Sequence, residues 1–460
     1  MSAHLPRNSF IYSRACSLSM KLAKTKSTLV AIAIAAALLV AVVLLLGSSG
    51  VLPPPPTGPT EPAAGCAETS VVYVYATDAQ RKAADEITST LKMMLQRSGV
   101  NIVNLPVCVV PASNFEKRFQ VYPALLIRGN VTVPSDYVSS TFGEYKELYP
   151  LLSAIIAYYS GVQVSYGYSG EALLAASTAP LTDLPQNFSY LREILSQVFL
   201  VNVTRVERVT PEVLPVELDT LPAVLVRSDY NLSRGAPYII PLQHGLYTIP
   251  EKLRRNMLQN LGVFAYEIRR SPPSILEEGV SLGVTGAPTL YIAEDYHCPY
   301  CAKFYVANAG LLLELVKQGK LRVVFVDLVV HPEVVPMHAF TWCLYNETRS
   351  AYLYFNVSLR LYELFLSNVH TSLDDAVRIA SDFTSTEIVD SSKACIPLRE
   401  GLLPGLSSSL TSLGFTGTPT FVFWNPVTGR GLVVEGCLDW NVCIKEEDLV
   451  KVLNWLSPES

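Results

Sequence analysis

The chain has 460 residues, half of them hydrophobic and 16% charged, with a formal net charge of −5. This composition excludes a chain disordered throughout, and the length allows two to four domains. Residues 1–26 hold five basic residues (Arg7, Arg14, Lys21, Lys24 and Lys26) and no acid, so the remainder carries −10. An acidic body argues against nucleic acid as a partner.

From the N-terminus, residues 1–27 read as a cytoplasmic segment and residues 28–46 as a transmembrane signal anchor. The span carries no charge. At 1.5 Å per residue it crosses most of a ~30 Å hydrocarbon core. All nearby basic residues precede it, which places the N-terminus inside and the body on the extracytoplasmic side of the cell membrane. A cleaved signal peptide is the competing reading, with an apolar region usually of about 7–15 residues. Met20 opens an alternative, shorter start. Residues 47–65, with Pro53 to Pro56, read as a Pro/Gly-rich stalk. Cys16 lies before the span; Cys66, Cys108, Cys298, Cys301, Cys343, Cys395, Cys437 and Cys443 lie after it. An even number in an oxidising compartment predicts pairing. Asn-x-Ser/Thr sequons at Asn130, Asn187, Asn202, Asn231, Asn346 and Asn356 agree with export and glycosylation.

Residues 66–165 predict a strand at 71–77, a helix at 79–98 stopped by Gly99, and a strand at 100–110. A proline-opened strand at 122–128 and a helix near 145–159 follow. The pattern recurs about 99 residues on, in 166–275. Leu221-Pro222-Ala223-Val224-Leu225-Val226-Arg227 answers Tyr122-Pro123-Ala124-Leu125-Leu126-Ile127-Arg128, and Pro211 answers Pro111. Four features in order at nearly one offset favour duplication over chance similarity of apolar strands. Each copy has the element order of a thioredoxin-like fold but no cysteine at the strand-to-helix junction. Asp78-Ala79-Gln80-Arg81 and Ala179-Pro180-Leu181-Thr182 stand there instead. Both copies therefore read as redox-inactive spacer or substrate-binding units. Cys66 and Cys108 are placed to pair at the edge of the first.

Residues 276–460 hold the chemistry. Tyr296-His297-Cys298-Pro299-Tyr300-Cys301 follows an apolar strand at 289–293 and opens a helix reaching about residue 320. Unpaired N–H groups at a helix start favour a thiolate there, and a second cysteine about one turn on is placed to resolve a mixed disulfide. Pro299 suits the first helical turn. A strand at 322–330, a mostly helical block at 338–413, strands at 420–424 and 431–435 and a helix at 445–456 complete the domain.

This segment resembles DsbA-like thiol–disulfide oxidoreductases over about residues 280–457. The resemblance rests on Ala287-Pro288-Thr289-Leu290, on Asp295-Tyr296-His297-Cys298-Pro299-Tyr300-Cys301, and on Gly417-Thr418-Pro419-Thr420. Cys-Pro-Tyr-Cys alone is shared with glutaredoxins. The fold class is α/β: the resemblance implies a thioredoxin-like fold with a helical insertion and does not extend to the N-terminal half, where the two degenerate units and the membrane helix are read from the pattern above. The resemblance makes Cys298 the attacking cysteine, Cys301 the resolving one, and Pro419 a cis-proline against the dithiol. Thr418 would then offer its backbone to an extended substrate, beside Pro299, Tyr300 and His297. Cys343 with Cys395 resembles a pair in the helical insertion of some members, and Cys437 with Cys443 reads as structural.

A static disulfide or half a zinc site is the alternative for Cys298 and Cys301, but zinc needs two further ligands. No metal or cofactor is expected. Histidine 297 reads either as tuning Cys298 by its charge or as an exposed loop residue. Asp295 reads as a cap or solvated group, with proton transfer to Cys301 the alternative. The expected activity is disulfide formation in exported cysteine-containing proteins, with a membrane redox partner for re-oxidation. Isomerase or reductase chemistry, and a non-catalytic chaperone or metal carrier, are the competing functions.

Overall fold

The computed structural model describes residues 66–184 and 188–457. The expected span at 28–46, the stalk at 47–65 and the sequon at Asn187 lie outside the described residues. Among the described residues no helix is long and apolar enough to cross a membrane.

In chain order, the first elements are β1 (Ser70–Tyr75), α1 (Asp78–Lys82), α2 (Ala84–Arg97), β2 (Val107–Pro111), β3 (Val121–Tyr122) and β4 (Ala124–Arg128). Next come β5 (Val138–Phe142), β6 (Tyr145–Leu148), α3 (Pro150–Tyr159) and β7 (Ser165–Tyr166). The chain then supplies β8 (Ser169–Ala175), α4 (Phe188–Phe199), β9 (Asn202–Val209), β10 (Thr220–Leu221) and β11 (Ala223–Arg227). It continues with β12 (Ile240–Pro241), β13 (Leu246–Thr248), α5 (Glu251–Gln259) and β14 (Ala265–Ile268). The remainder is β15 (Val280–Leu282), β16 (Thr289–Glu294), α6 (Pro299–Lys317) and β17 (Arg322–Asp327). Four helices follow, α7 (Val335–Thr348), α8 (Ala351–Leu366), α9 (Leu373–Ser381) and α10 (Thr386–Ser412). The chain closes with β18 (Thr420–Asn425), β19 (Arg430–Glu435) and α11 (Glu446–Leu456).

These elements form two compact units. Of the described residues, one is built from 66–172, 188–207 and 225–250, the other from 173–184, 208–224 and 251–457. The first unit holds a five-stranded sheet in the order β2-β1-β4-β6-β5. Strand β1 runs parallel to β2 and antiparallel to β4. Its side chains alternate between two cores. Val71 and Tyr73 pack with Ile87, Leu91, Leu125 and Ile127. Val72 and Val74 pack with Phe119, Tyr122, Leu126 and Tyr145. A strand covered on both faces reads as a continuous apolar run, which is why it was legible. Two boundaries differ from expectation. Val100 and Ile102 are buried in a loop, and the strand begins only at Val107. Tyr145–Leu148 is a strand, and the helix waits for Pro150, which fits a first helical turn. A second five-stranded sheet, β12-β13-β11-β8-β9, belongs chiefly to this unit and repeats the same order of core strands.

The second unit is built on a seven-stranded sheet, β10-β14-β19-β18-β16-β17-β15. Strands β16 and β17 are parallel, and β18 and β19 follow antiparallel. The sheet reaches upstream of residue 276, because β14 pairs with β19 from Ala265 opposite Val434 to Ile268 opposite Gly431. Nearby, Arg255 Nη1 lies 2.5 Å from Glu435 Oε1, and Gln259 donates to the same carboxylate. Burial raises the pKa of Glu435 against the opposing charge of Arg255. The Arg255 guanidinium crosses Gly414, where φ is +98° and a Cβ would sit 2.1 Å from Nη2. Helices α7–α10 are the insertion between β17 and β18.

Candidate active site

Strand β16 is buried along its whole length and delivers Asp295-Tyr296-His297 to the start of α6. Cys298 caps that helix: its backbone N–H donates to Asp295 O (3.0 Å), and its Sγ accepts from the N–H of Cys301 (3.3 Å). Pro299 occupies the first turn, where its missing N–H costs no helical bond. Cys298 and Cys301 are both free thiols and both buried. Their chemistry diverges. A hydrogen bond from the Cys301 thiol, aided by the N–H groups of Cys301 and Tyr300, outweighs burial and lowers the Cys298 pKa to about 7. Burial, with Cys298 alongside, pushes Cys301 well above the usual thiol value. One sulfur is thus a nucleophile near neutral pH while the other keeps its proton.

The peptide bond between Thr418 and Pro419 is cis. The Cys298 thiol donates to Thr418 O at 3.3 Å. The N–H of Gly436 holds Pro419 O (2.9 Å), and Thr420 Oγ1 donates to Gly417 O (2.7 Å). Thr418 and Cys298, 120 positions apart in sequence, therefore meet. Pro299 is exposed and Tyr300 half-buried. The ring of Tyr300 lies 5.7 Å from that of Trp440, whose carbonyl accepts from Lys303 Nζ.

His297 is not a surface residue: it is 6% exposed and held by the helical insertion. Its Nε2 lies 3.0 Å from Thr371 O and its Nδ1 3.3 Å from Glu333 Oε1, and its ring stacks on Phe365. Asp295 is fully buried as well. It accepts from the N–H groups of His297 (2.9 Å), Val330 (2.8 Å) and His331 (3.0 Å), and its Oδ1 lies 2.9 Å from His331 Nδ1. Four partners leave this carboxylate engaged in fixing the loop.

Sequence reasoning missed a second set of groups. Glu294 is fully buried and accepts from the hydroxyls of Tyr305 and Tyr354. Burial raises its pKa to about 8 despite those bonds. A glutamate ending an otherwise apolar strand was the available signal. The other group had none. His338 Nε2 accepts from the N–H of Tyr296 (3.3 Å), and its Nδ1 lies 2.8 Å from Asp327, which also binds Arg399 (2.8 Å). Burial opposes charge on His338, but Asp327 outweighs it and raises the pKa.

The remaining cysteines form Cys66–Cys108, Cys343–Cys395 and Cys437–Cys443. Cys343–Cys395 staples α7 to α10. Cys437–Cys443 closes the short loop carrying Trp440.

Residues 276–423 match a family model described as thioredoxin. No curated protein sequence matches the chain. Among solved structures, the chain is similar to the thiol-disulfide oxidoreductase MdbA of Actinomyces oris, at 16% identity over 39% of this chain and 86% of that one (TM-score 0.31). It is similar to Chlamydia trachomatis DsbA at 15% identity over 40% and 96% (TM-score 0.31). The thiol-disulfide exchange protein α-DsbA2 of Wolbachia pipientis matches at 17% identity over 40% and 91% (TM-score 0.32). The family match covers residues 276–423, within the segment whose sequence resembles DsbA-like oxidoreductases.

Proposed function

We propose that this chain is a membrane-tethered, extracytoplasmic thiol–disulfide oxidoreductase that forms disulfides in exported cysteine-containing proteins. The observation that carries the reading is the unequal pair at the start of α6: a Cys298 with pKa about 7 that touches Thr418 O, backed by a buried Cys301 that stays protonated. In the oxidised enzyme a substrate thiolate attacks Cys298 Sγ, the Cys298–Cys301 bond breaks, and Cys301 leaves with the electron pair and takes up a proton. A second substrate thiolate then attacks the mixed disulfide. The substrate is released oxidised, and Cys298 leaves as a thiolate. A stabilised Cys298 thiolate is the better leaving group, which favours the oxidising direction. Re-oxidation would fall to a membrane redox partner. Residues 66–275 act as two redox-inactive thioredoxin-like units between the stalk and this site.

The test is oxidation of a reduced, unfolded two-thiol protein by the oxidised full-length chain. Cys298→Ser should abolish it, and the reduced Cys301→Ser chain, offered the same protein with its disulfide formed, should attack that disulfide and remain trapped as a substrate–Cys298 disulfide. Unchanged activity in Cys298→Ser would overturn the mechanism. A dithiol potential near about −270 mV, the thioredoxin value, would turn the assignment towards a reductase.

A further inference from the structure

Asp295-Tyr296-His297-Cys298 is the turn that presents the attacking sulfur, closed by the Cys298 N–H on Asp295 O at 3.0 Å. All four residues are buried, and buried amides need acceptors. Two are met inside the turn: Cys298 N–H by that carbonyl and His297 N–H by Asp295 Oδ1 at 2.9 Å. The Tyr296 N–H is met from outside, by His338 Nε2 at 3.3 Å, on α7 of the helical insertion. The insertion grips the rest of Tyr296 as well. Its hydroxyl lies 3.0 Å from Thr341 Oγ1 and 2.7 Å from Ser358 Oγ, and its ring lies 4.3 Å from that of His338.

The bond to Tyr296 dictates where the His338 ring carries its proton. A ring nitrogen that accepts is bare, so the proton of the neutral ring is on Nδ1. Asp327 Oδ1 stands there at 2.8 Å and accepts it. The other oxygen, Oδ2, accepts from Arg399 Nη2 on α10 at 2.8 Å. His338, Asp327 and Arg399 are all buried. Arg399 matches the Asp327 charge, which lets His338 stay neutral between a carboxylate and an amide. Burial opposes a second proton on the ring, whereas Asp327, Asp295 and Glu294 favour one. That proton would have to land on Nε2 and would set donor against donor at Tyr296.

We infer that His338 is a positioning residue of the dithiol: its neutral ring, protonated on Nδ1, holds the Tyr296 amide and so the turn that carries Cys298, and Asp327 with Arg399 holds the ring in that tautomer. His338 acts on the sulfur only through this backbone. The Cys301 thiol and the N–H groups of Cys301 and Tyr300 keep the Cys298 pKa low only while the turn holds the sulfur in front of them. A buried amide left without its acceptor would pull the turn towards another partner. The inference deepens the oxidoreductase reading and rests on it for the reaction served.

Asp327→Asn tests this with almost no change of shape. Arg399 can only donate, so the new amide turns its oxygen to Arg399 and its NH2 to His338 Nδ1. The ring proton then moves to Nε2, against the Tyr296 amide. In the reduced full-length chain, the pH midpoint of iodoacetamide alkylation at Cys298 should rise by about one unit, roughly tenfold in rate below it. The Tyr296 amide should exchange with solvent at least about tenfold faster. His338→Phe fills the ring's place without its nitrogens and should behave likewise. His338→Gln can donate to Asp327 and accept from Tyr296, and should stay within about twofold of wild type. A wild-type midpoint in Asp327→Asn, or equal shifts in His338→Gln and His338→Phe, overturns the inference. Should the variants not fold, nitrogen NMR of the wild-type histidine rings decides. At neutral pH His338 should carry a proton on Nδ1 and none on Nε2, and a protonated Nε2 would sink the idea. Alkylation uses no protein substrate, so this outcome and that of the oxidation assay are separate.

Discussion

Two helix starts in this molecule share a geometry and differ in one kind of atom. In the second unit Cys298 caps α6 and its sulfur accepts from the N–H of Cys301 at 3.3 Å. In the first unit Thr77 caps α1 and its oxygen accepts from the N–H of Gln80 at 3.3 Å. Thr77 thus stands where the attacking cysteine stands, and Gln80 where the resolving one does. The cap needs only an acceptor, and threonine is a strong one. Exchange needs a thiolate, which a hydroxyl does not supply at neutral pH. The two starts share the cap, and only the one with sulfur can carry the chemistry.

The comparison breaks most sharply when the active cap is rewritten as the silent one. Cys298→Thr with Cys301→Gln should cost about a thousandfold or more in exchange while the far-ultraviolet circular dichroism stays unchanged. Removing the staple between α7 and α10 tests whether the insertion is a rigid part of the site. Cys343→Ala with Cys395→Ala should lower unfolding free energy by up to about 4 kcal/mol in the chain-entropy model, read by urea titration. Proton dependence comes next. With the Cys298 pKa at about 7, alkylation of the reduced dithiol should be flat above that pH, where the thiolate is already formed. Below it the rate should fall about tenfold per unit as the thiolate is protonated. A midpoint near the ordinary thiol value would remove the activated sulfur. The smallest effect is expected from the reverse graft. Thr77→Cys with Gln80→Cys in a Cys298→Ser background should recover under about a hundredth of wild-type exchange, because Val121 and Tyr122, before the cis Pro123, already pair with Tyr166 and Ser165. Substantial recovery would show that sulfur alone separates the two helix starts.

Much of this was legible from the chain itself. Cys298 and Cys301 announce themselves by spacing and by the apolar strand before them, Pro419 came through the family resemblance, and the similarity at an offset of about 99 residues pointed to Pro123 and Pro222. What was hidden is tertiary. His297 reads from sequence either as a residue that tunes Cys298 or as an exposed loop residue. It is buried by Phe365 and Thr371, which lie 68 and 74 positions away. Thr77 escaped notice because the junction was placed at Asp78, and capping is a relation between a side chain and a later amide. The histidine at 338 meets Tyr296 only through packing. The strand expected at 100–110 illustrates the remaining ambiguity, since an apolar run serves a buried loop as readily as a ladder.

The contact of Arg255 with Glu435 bears on where this protein can be cut. The family match begins at residue 276, yet α5 and β14 lie before it. A fragment starting at 276 would strip β19 of its neighbour and leave a bare strand edge, an invitation to self-association. It would also leave Glu435 without Arg255 and Gln259, a carboxylate stranded beside β18. Gly414, freed of the guanidinium above it, would lose the clamp on the approach to Pro419. An excised catalytic piece must therefore begin no later than about residue 251, well inside the second repeat.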